Sequence, residues 1–382
     1  MRRLGCIGIA LILAGCSSAP VAKVSPTPAF TSPSPARVAP SVAPSPVPLR
    51  PPDELRYLRM TSLSIIWAAT LKHVLRSTDA GRHWSEVTPS PNADPVLFAV
   101  DDSAAWVAYG GSYGGPYVIF RTTSGGASWL SASAPLQHGG ITSLSFVDRR
   151  NGWATVDLGA AAGSEGIAIL RTVDGGATWS LIAQTSDPTT SQSSPSGLSF
   201  GCDKGFATFG SPIVGLIPNE CAGGPATLYR TTDGGFHWNL ISLGQLDNRG
   251  GAAALANSPT FLTSSDAILP ASSYAAANQA TWSLLVTHDE GASWRDFLLP
   301  TQGSIDFDST ASGWLLGSPL EETSDGGATW RPLRVPVPPF KTTDMQLQYL
   351  GKGIATAWSW STAFRTDDGA VTWRAITPPQ LS

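Results

Sequence analysis

Thr172-Val173-Asp174-Gly175-Gly176-Ala177-Thr178-Trp179 is one of seven occurrences of the same eight-residue phrase in this chain. The others are STDAGRHW (Ser77 to Trp84), TTSGGASW (Thr122 to Trp129), TTDGGFHW (Thr231 to Trp238), THDEGASW (Thr287 to Trp294), TSDGGATW (Thr323 to Trp330) and TDDGAVTW (Thr366 to Trp373). Successive copies start 45, 50, 59, 56, 36 and 43 residues apart. A phrase returning at this period marks a repeat architecture, in which each unit buries its apolar face only against its neighbours.

Each position suits a tight turn between two strands. The carboxylates of Asp79, Asp174, Asp233, Asp289, Asp325 and Asp368 are placed to accept hydrogen bonds from nearby main-chain N–H groups, and the leading Ser or Thr hydroxyl does the same more weakly. Glycine supplies a positive φ. Trp84, Trp129, Trp179, Trp238, Trp294, Trp330 and Trp373 each open the following strand and are expected between neighbouring sheets, since tryptophan carries the largest apolar surface. Two copies depart from the pattern, with Ser124 in place of Asp and Ala370 in place of Gly, and theirs should be the weakest turns.

The phrase resembles the Asp-box, or bacterial neuraminidase repeat, of sialidases, xyloglucan-degrading hydrolases, sortilin-type receptors and the photosystem II stability/assembly factor propellers. An Arg precedes five copies (Arg76, Arg121, Arg171, Arg230 and Arg365), and together with the Asp-Gly-Gly core this makes the chain most similar to the assembly-factor group, from about residue 54 to the end. The resemblance implies a β-propeller. It does not single out a function, because one fold serves enzymes, receptors and assembly factors.

The first 15 residues read as a signal peptide: Arg2 and Arg3, then the apolar run Leu4 to Leu13, too short to span a bilayer as a helix. Leu13-Ala14-Gly15-Cys16 resembles a bacterial lipobox, which implies lipidation at Cys16 and a membrane anchor on the outer side of a bacterial membrane, in the cell envelope. Residues 16–53 form a linker in which 11 of the 37 residues after Cys16 are Pro, so it is expected to be disordered and extended.

Residues 54–382 suit an all-β fold, a seven-bladed β-propeller of four-stranded antiparallel blades. In the third repeat the strands read as Ile141 to Phe146, Gly152 to Asp157, Ile167 to Thr172 and Trp179 to Ala183. A second phrase marks the turn between the first two strands, at Phe146 to Trp153 and Phe307 to Trp314, with looser forms at Phe98 to Trp106 and Phe200 to Phe206. In such a blade this turn and the Asp-box share one face of the disc. Variation is pushed to the other face. From Trp67, Trp106, Trp153, Phe206, Ile268, Trp314 and Ile354 to the next Asp-box the separations are 10, 16, 19, 25, 19, 9 and 12, which puts long loops on blades two to five. No exchanged strand is evident, so packing between the first and last blades must close the ring.

Loops held by a rigid scaffold concentrate binding residues. The candidates on this variable face are Tyr113, Tyr117, Glu165, Glu220, Asp247, Arg249, Tyr274 and Asn278, to be weighed against their being ordinary solvated loop residues. Removing Arg2 and Arg3 from the 24 basic residues leaves 22 against 28 acidic, with no basic run, which argues against a nucleic-acid partner. Cys202 and Cys221 remain after the leader and Cys16, and an even pair in an exported protein points to a disulfide. The assigned strands place them on opposite faces, which opposes it. No Cys/His cluster has metal-site spacing, and neither metal nor cofactor is expected.

A sialidase needs an arginine triad, a Tyr–Glu nucleophile pair and an acid, and only Leu55-Arg56-Tyr57-Leu58-Arg59 approaches the expected opening segment. Asp101, Asp102, Asp148, Asp306 and Asp308 are acids near inner strands, at turns of the structural face. The expectation is therefore a monomeric, non-catalytic binding or assembly module for a protein partner or membrane complex. An exo-sialidase or other glycoside hydrolase is the alternative, and glycan binding without turnover is a third.

Overall fold

The computed structural model describes residues 53–90, 94–109, 117–161, 164–186, 194–221, 224–244, 252–256, 258–274 and 280–379, which build seven antiparallel sheets. The chain is a seven-bladed β-propeller. Every blade takes its strands in chain order from the central channel to the rim, and the first strands supply the channel wall. They are Leu55–Met60, Pro95–Ala99, Gly140–Phe146, Asp203–Lys204 with Thr208–Phe209, Ala252–Leu255 with Thr260–Phe261, Ser304–Phe307 and Gln346–Tyr349.

Two inner strands are broken, and proline explains both. Pro218 and Pro270 lie in the second strands of blades four and five, with their carbonyls facing inward to accept from Gly205 N and Ala256 N, each at 2.9 Å. Proline has no N–H to return to the ladder, so inner-strand pairing lapses beside it.

The Asp-box turns are uniform. In the third blade the Thr172 hydroxyl donates to Asp174 Oδ1 at 2.8 Å and accepts from Gly176 N at 2.8 Å, while Asp174 Oδ1 accepts from Thr178 N at 2.9 Å. Two successive residues have positive φ, here Gly175 at 74° and Gly176 at 85°. The first of the two tolerates Ala80 and Glu290, and Ala370 takes the second at φ 68° with its side chain buried in the core between blades six and seven. In all seven blades the N–H of the first such residue donates to a carbonyl of the turn between strands one and two, from Ala80 to Ser64 through Gly175 to Arg150 and on to Gly369 and Gly353, at 2.8–3.0 Å. That bond ties both recurrent phrases to one face.

Aromatic rings fill the space between blades. Trp106 of blade two stacks on Phe146 of blade three at 3.7 Å, with Trp179 edge-on to the same ring. Trp153, Phe209 and Trp238 repeat the arrangement one blade further on. Of the Asp-box tryptophans, Trp179, Trp238 and Trp294 are buried, whereas Trp84, Trp129, Trp330 and Trp373 are half-buried. The deepest indoles are Trp67, Trp106 and Trp153 in the second strands, because that strand is covered on both faces.

The arginines ahead of the Asp-boxes are clasps between blades. Arg76 donates to Asp102 O at 2.8 Å, Arg121 to Asp174 O at 3.3 Å, Arg171 to Pro212 O at 3.2 Å and Arg230 to Glu290 O at 2.8 Å, each on the following blade. Arg365 closes the set against Met60 Sδ at 3.3 Å across the seam. There Gln348 holds Met60 twice, accepting its N–H at 2.7 Å and donating to its carbonyl at 2.9 Å, and Leu55, Leu58, Met60, Ala363 and Ile376 share one apolar cluster. The ring closes by packing and side-chain bonds, with all four strands of each blade consecutive.

The fourth blade differs from the sequence reading. Phe206 belongs to the inner strand region, and the turn runs from Phe209 to Gly215, the same six-residue step as Phe146 to Gly152 and Phe307 to Gly313. The second strand begins at Gly215, so Leu216 replaces Phe206 as the reference and lies 15 residues before Thr231, not 25. In blades three and five the supposed long loops are mostly strand, Gly152–Ala161 pairing with Ser164–Thr172 and Ala267–Tyr274 with Ala280–Thr287.

Candidate functional site

The corrected register brings the cysteines together. Asp203 pairs with Glu220, so the flanking Cys202 and Cys221 meet one step beyond, with Cα atoms 4.5 Å apart in a disulfide. Both lie on the variable face, and the geometric objection disappears. Glu165 stands at the start of the long hairpin strand Ser164–Thr172, and its Oε2 accepts Lys204 N at 2.7 Å from the next blade. Glu220 Oε1 accepts Leu255 N at 2.6 Å in the same way. Burial raises the pKa of both carboxyls, with the Asp203 charge adding to the effect. Lys204 is buried, and its ammonium donates to Gly201 O at 2.7 Å, Cys202 O at 3.0 Å and Glu165 O at 3.1 Å. Desolvation lowers it to about 8, the charges of Glu165 and Asp203 opposing the fall.

Of the other candidates, Tyr117 is buried in the core between blades two and three and is not presented to solvent. Tyr274 ends a strand, its main chain paired with Ala252 and Ala280. Tyr113, Asp247, Arg249 and Asn278 lie outside the described residues, as do Cys16 and the whole leader and linker up to residue 52. The structure therefore gathers Glu165 and Glu220 around Asp203 but does not assemble the described candidates into one open site. An aromatic that the sequence reading missed is Trp360, 57% exposed in the hairpin turn of blade seven on the same face. No periodic signal marks a single exposed turn residue.

The channel is concave. Two adjoining cavities of about 910 and 540 Å³ share Tyr57, Arg59, Thr260 and Phe261. Asp306 beside the channel and Asp101 on the structural face are engaged between blades. Asp306 Oδ2 accepts Tyr349 N at 2.8 Å, and Asp101 takes a two-pronged contact from Arg149, with Nε 2.7 Å from Oδ2 and Nη2 2.9 Å from Oδ1. Desolvation pushes Asp306 up to about 6, against those hydrogen bonds and the Arg59 charge. Burial also acts to raise Asp101, but Arg149 and the Ser103 and Ala104 N–H groups bring it down to about 2. Among the described residues, no group of three or more His, Cys, Asp or Glu is placed to hold a metal ion.

No family model and no curated protein sequence matches the chain. Among solved structures it is similar to "YCF48 bound to D1 peptide", at 14% identity over 86% of this chain and 93% of that one, with a TM-score of 0.49. It is also similar to an ancestral GH74 enzyme, at 15% identity and TM-score 0.52 over 86% of this chain, which spans only 47% of that protein. A third is the Hadza microbial sialidase Hz136, at 12% identity over 69% of this chain and 67% of that one, with a TM-score of 0.41. At these identities the likeness is one of fold alone.

Proposed function

We propose that this propeller is a non-catalytic module of the bacterial cell envelope, lipid-anchored through Cys16, that binds a protein partner or membrane complex through its variable face. The observation that carries the reading is the role of the carboxylates. Asp101 fastens blade two to three, Glu165 three to four, Glu220 four to five and Asp306 six to seven. A hydrolase needs two carboxyls free to act on one bond about 5 to 10 Å apart. These four work as joints instead. The Cys202–Cys221 disulfide supports an oxidising compartment, and the leader supports export.

Photo-crosslinkers at Trp360 and at Asp325, on opposite faces, test the reading in cells producing the full chain. A discrete protein adduct from Trp360 alone is expected, together with no sugar release from sialosides or plant and bacterial polysaccharides. Turnover that depends on Asp306 would overturn the proposal and restore the hydrolase.

A further inference from the structure

Arginine has a recognisable structural use in this fold. Arg76, Arg121, Arg171 and Arg230 each donate to a main-chain carbonyl of the next blade. Arg59 departs from that use. It is half-buried on the inner strand Leu55–Met60, borders both channel cavities, and makes no hydrogen bond or ion pair among the described residues. Its guanidinium stacks over Phe98, with Cζ 5.4 Å from the ring centroid, and its charge acts on the buried Asp306 carboxyl that lines the smaller cavity with it. Stacking leaves the edge of the guanidinium fork open, and that edge matches a carboxylate in two parallel hydrogen bonds. The larger cavity's wall is mixed, and its aromatic part includes Tyr57, Phe98, Phe206 and Phe261, brought from four different blades. Tyr57 is itself fixed, its hydroxyl accepting Ala99 N at 3.2 Å.

Arg56 and Asp94 also border the larger cavity, and Asp306 and Asp308 the smaller, but of these charged groups Arg59 is the one stacked on an aromatic ring. A guanidinium set against apolar wall in a concave site selects a ligand with an apolar body and one opposite charge. We propose that the channel binds an organic carboxylate carried on an apolar or aromatic group, with Arg59 holding the carboxylate and the phenyl rings taking the body. The chemistry is shared by a free aryl-alkanoic acid and by a chain terminus ending in an aromatic residue. This site is separate from the variable-face surface and does not depend on the protein-binding reading.

The test is ligand-detected NMR and calorimetry on the full chain with 3-phenylpropionate, its uncharged amide, and acetyl-Gly-Phe with free and amidated ends. The acid is expected to bind at least about tenfold more tightly than the amide, a difference of about 1.4 kcal/mol. Arg59→Gln should remove that preference while leaving the melting temperature unchanged, and Arg59→Lys should keep part of it, since the charge remains without the fork. Tighter binding of the free peptide than of the small acid would assign the site to chain termini, and the reverse to small acids. Equal binding of acid and amide, binding indifferent to Arg59→Gln, or no binding of either acid would overturn the proposal.

Discussion

The two faces of the disc are built on opposite rules. On the Asp-box face, seven turns repeat one bonding scheme, and every blade has the same N–H to carbonyl tie between its two turns. On the other face each connection is different: a long hairpin in blade three, a disulfide with a buried lysine in blade four, an exposed Trp360 in blade seven. A repeat protein is stabilised by what its units have in common, and its individuality is confined to positions the common scheme does not need. The channel belongs to neither face, and there Arg59 makes no hydrogen bond among the described residues.

Four experiments would break or sharpen that contrast. Trp153→Ala should have the largest effect, removing a fully buried indole stacked on Phe209 at 3.7 Å and bonded to Gly234 O at 2.9 Å. A loss of about 3 to 5 kcal/mol in denaturant unfolding is expected, and a loss no greater than that of a surface change would mean the blades are not joined here. Arg171→Ala removes a clasp that stacks on Trp153 and Phe236 as well as bonding Pro212 O, and should cost about 1 to 2 kcal/mol. Arg59→Gln should change stability by less than about 0.5 kcal/mol. A drop like that of Arg171→Ala would show that Arg59 is one more clasp.

Acidity separates the regions in sign. Although burial acts to raise Asp174, the Thr178 hydroxyl and N–H hold it at about 2, below its unfolded value. Stability from such turns is therefore present above the ordinary carboxylate pKa of about 4 and lost as pH falls below it. Asp306 at about 6, and Glu165 and Glu220 shifted upward, bind protons more readily folded than unfolded. Their contribution improves as pH falls from about 7 towards 4. Melting temperature should accordingly rise on mild acidification and then fall, and Asp306→Asn should flatten the rising limb. A monotonic decline from neutral pH in the native chain would contradict the placement of these three carboxyls.

The Asp-box could be read directly from sequence because its bonds join residues within one octapeptide, such as Thr172, Asp174 and Thr178. The blade count and the shared turn face followed from it. Blade four was misassigned because Phe206 and Phe209 are both aromatic and only the second meets a glycine across the turn, where Gly215 leaves room for its ring. Proline in the middle of a second strand, at Pro218, gave no warning that the neighbouring strand would be the one to break. Tyr117 was taken for a loop residue, and it does stand one position ahead of the strand Val118–Thr122, but whether such a residue turns into the core is not a local property. Arg59 entered the sequence reading only within Leu55-Arg56-Tyr57-Leu58-Arg59, the nearest approach to a sialidase's opening segment. Its surroundings exist only once Phe98, Phe206 and Phe261 from three other blades are drawn around it.

The seam between blades seven and one has a consequence for the chain as a topological object. Leu55 and Ile376 sit in one apolar cluster, and Leu55 N donates to Trp360 O at 2.7 Å, so the two ends of the ring are neighbours although no strand crosses between them. Nothing in the circle therefore privileges that gap as the place to begin. A circular permutant that joins these ends through a short linker and starts instead at the connection near Gln302, between blades five and six, should retain the same ring. Blade order around the circle, and not the position of the first residue, carries the information for this fold.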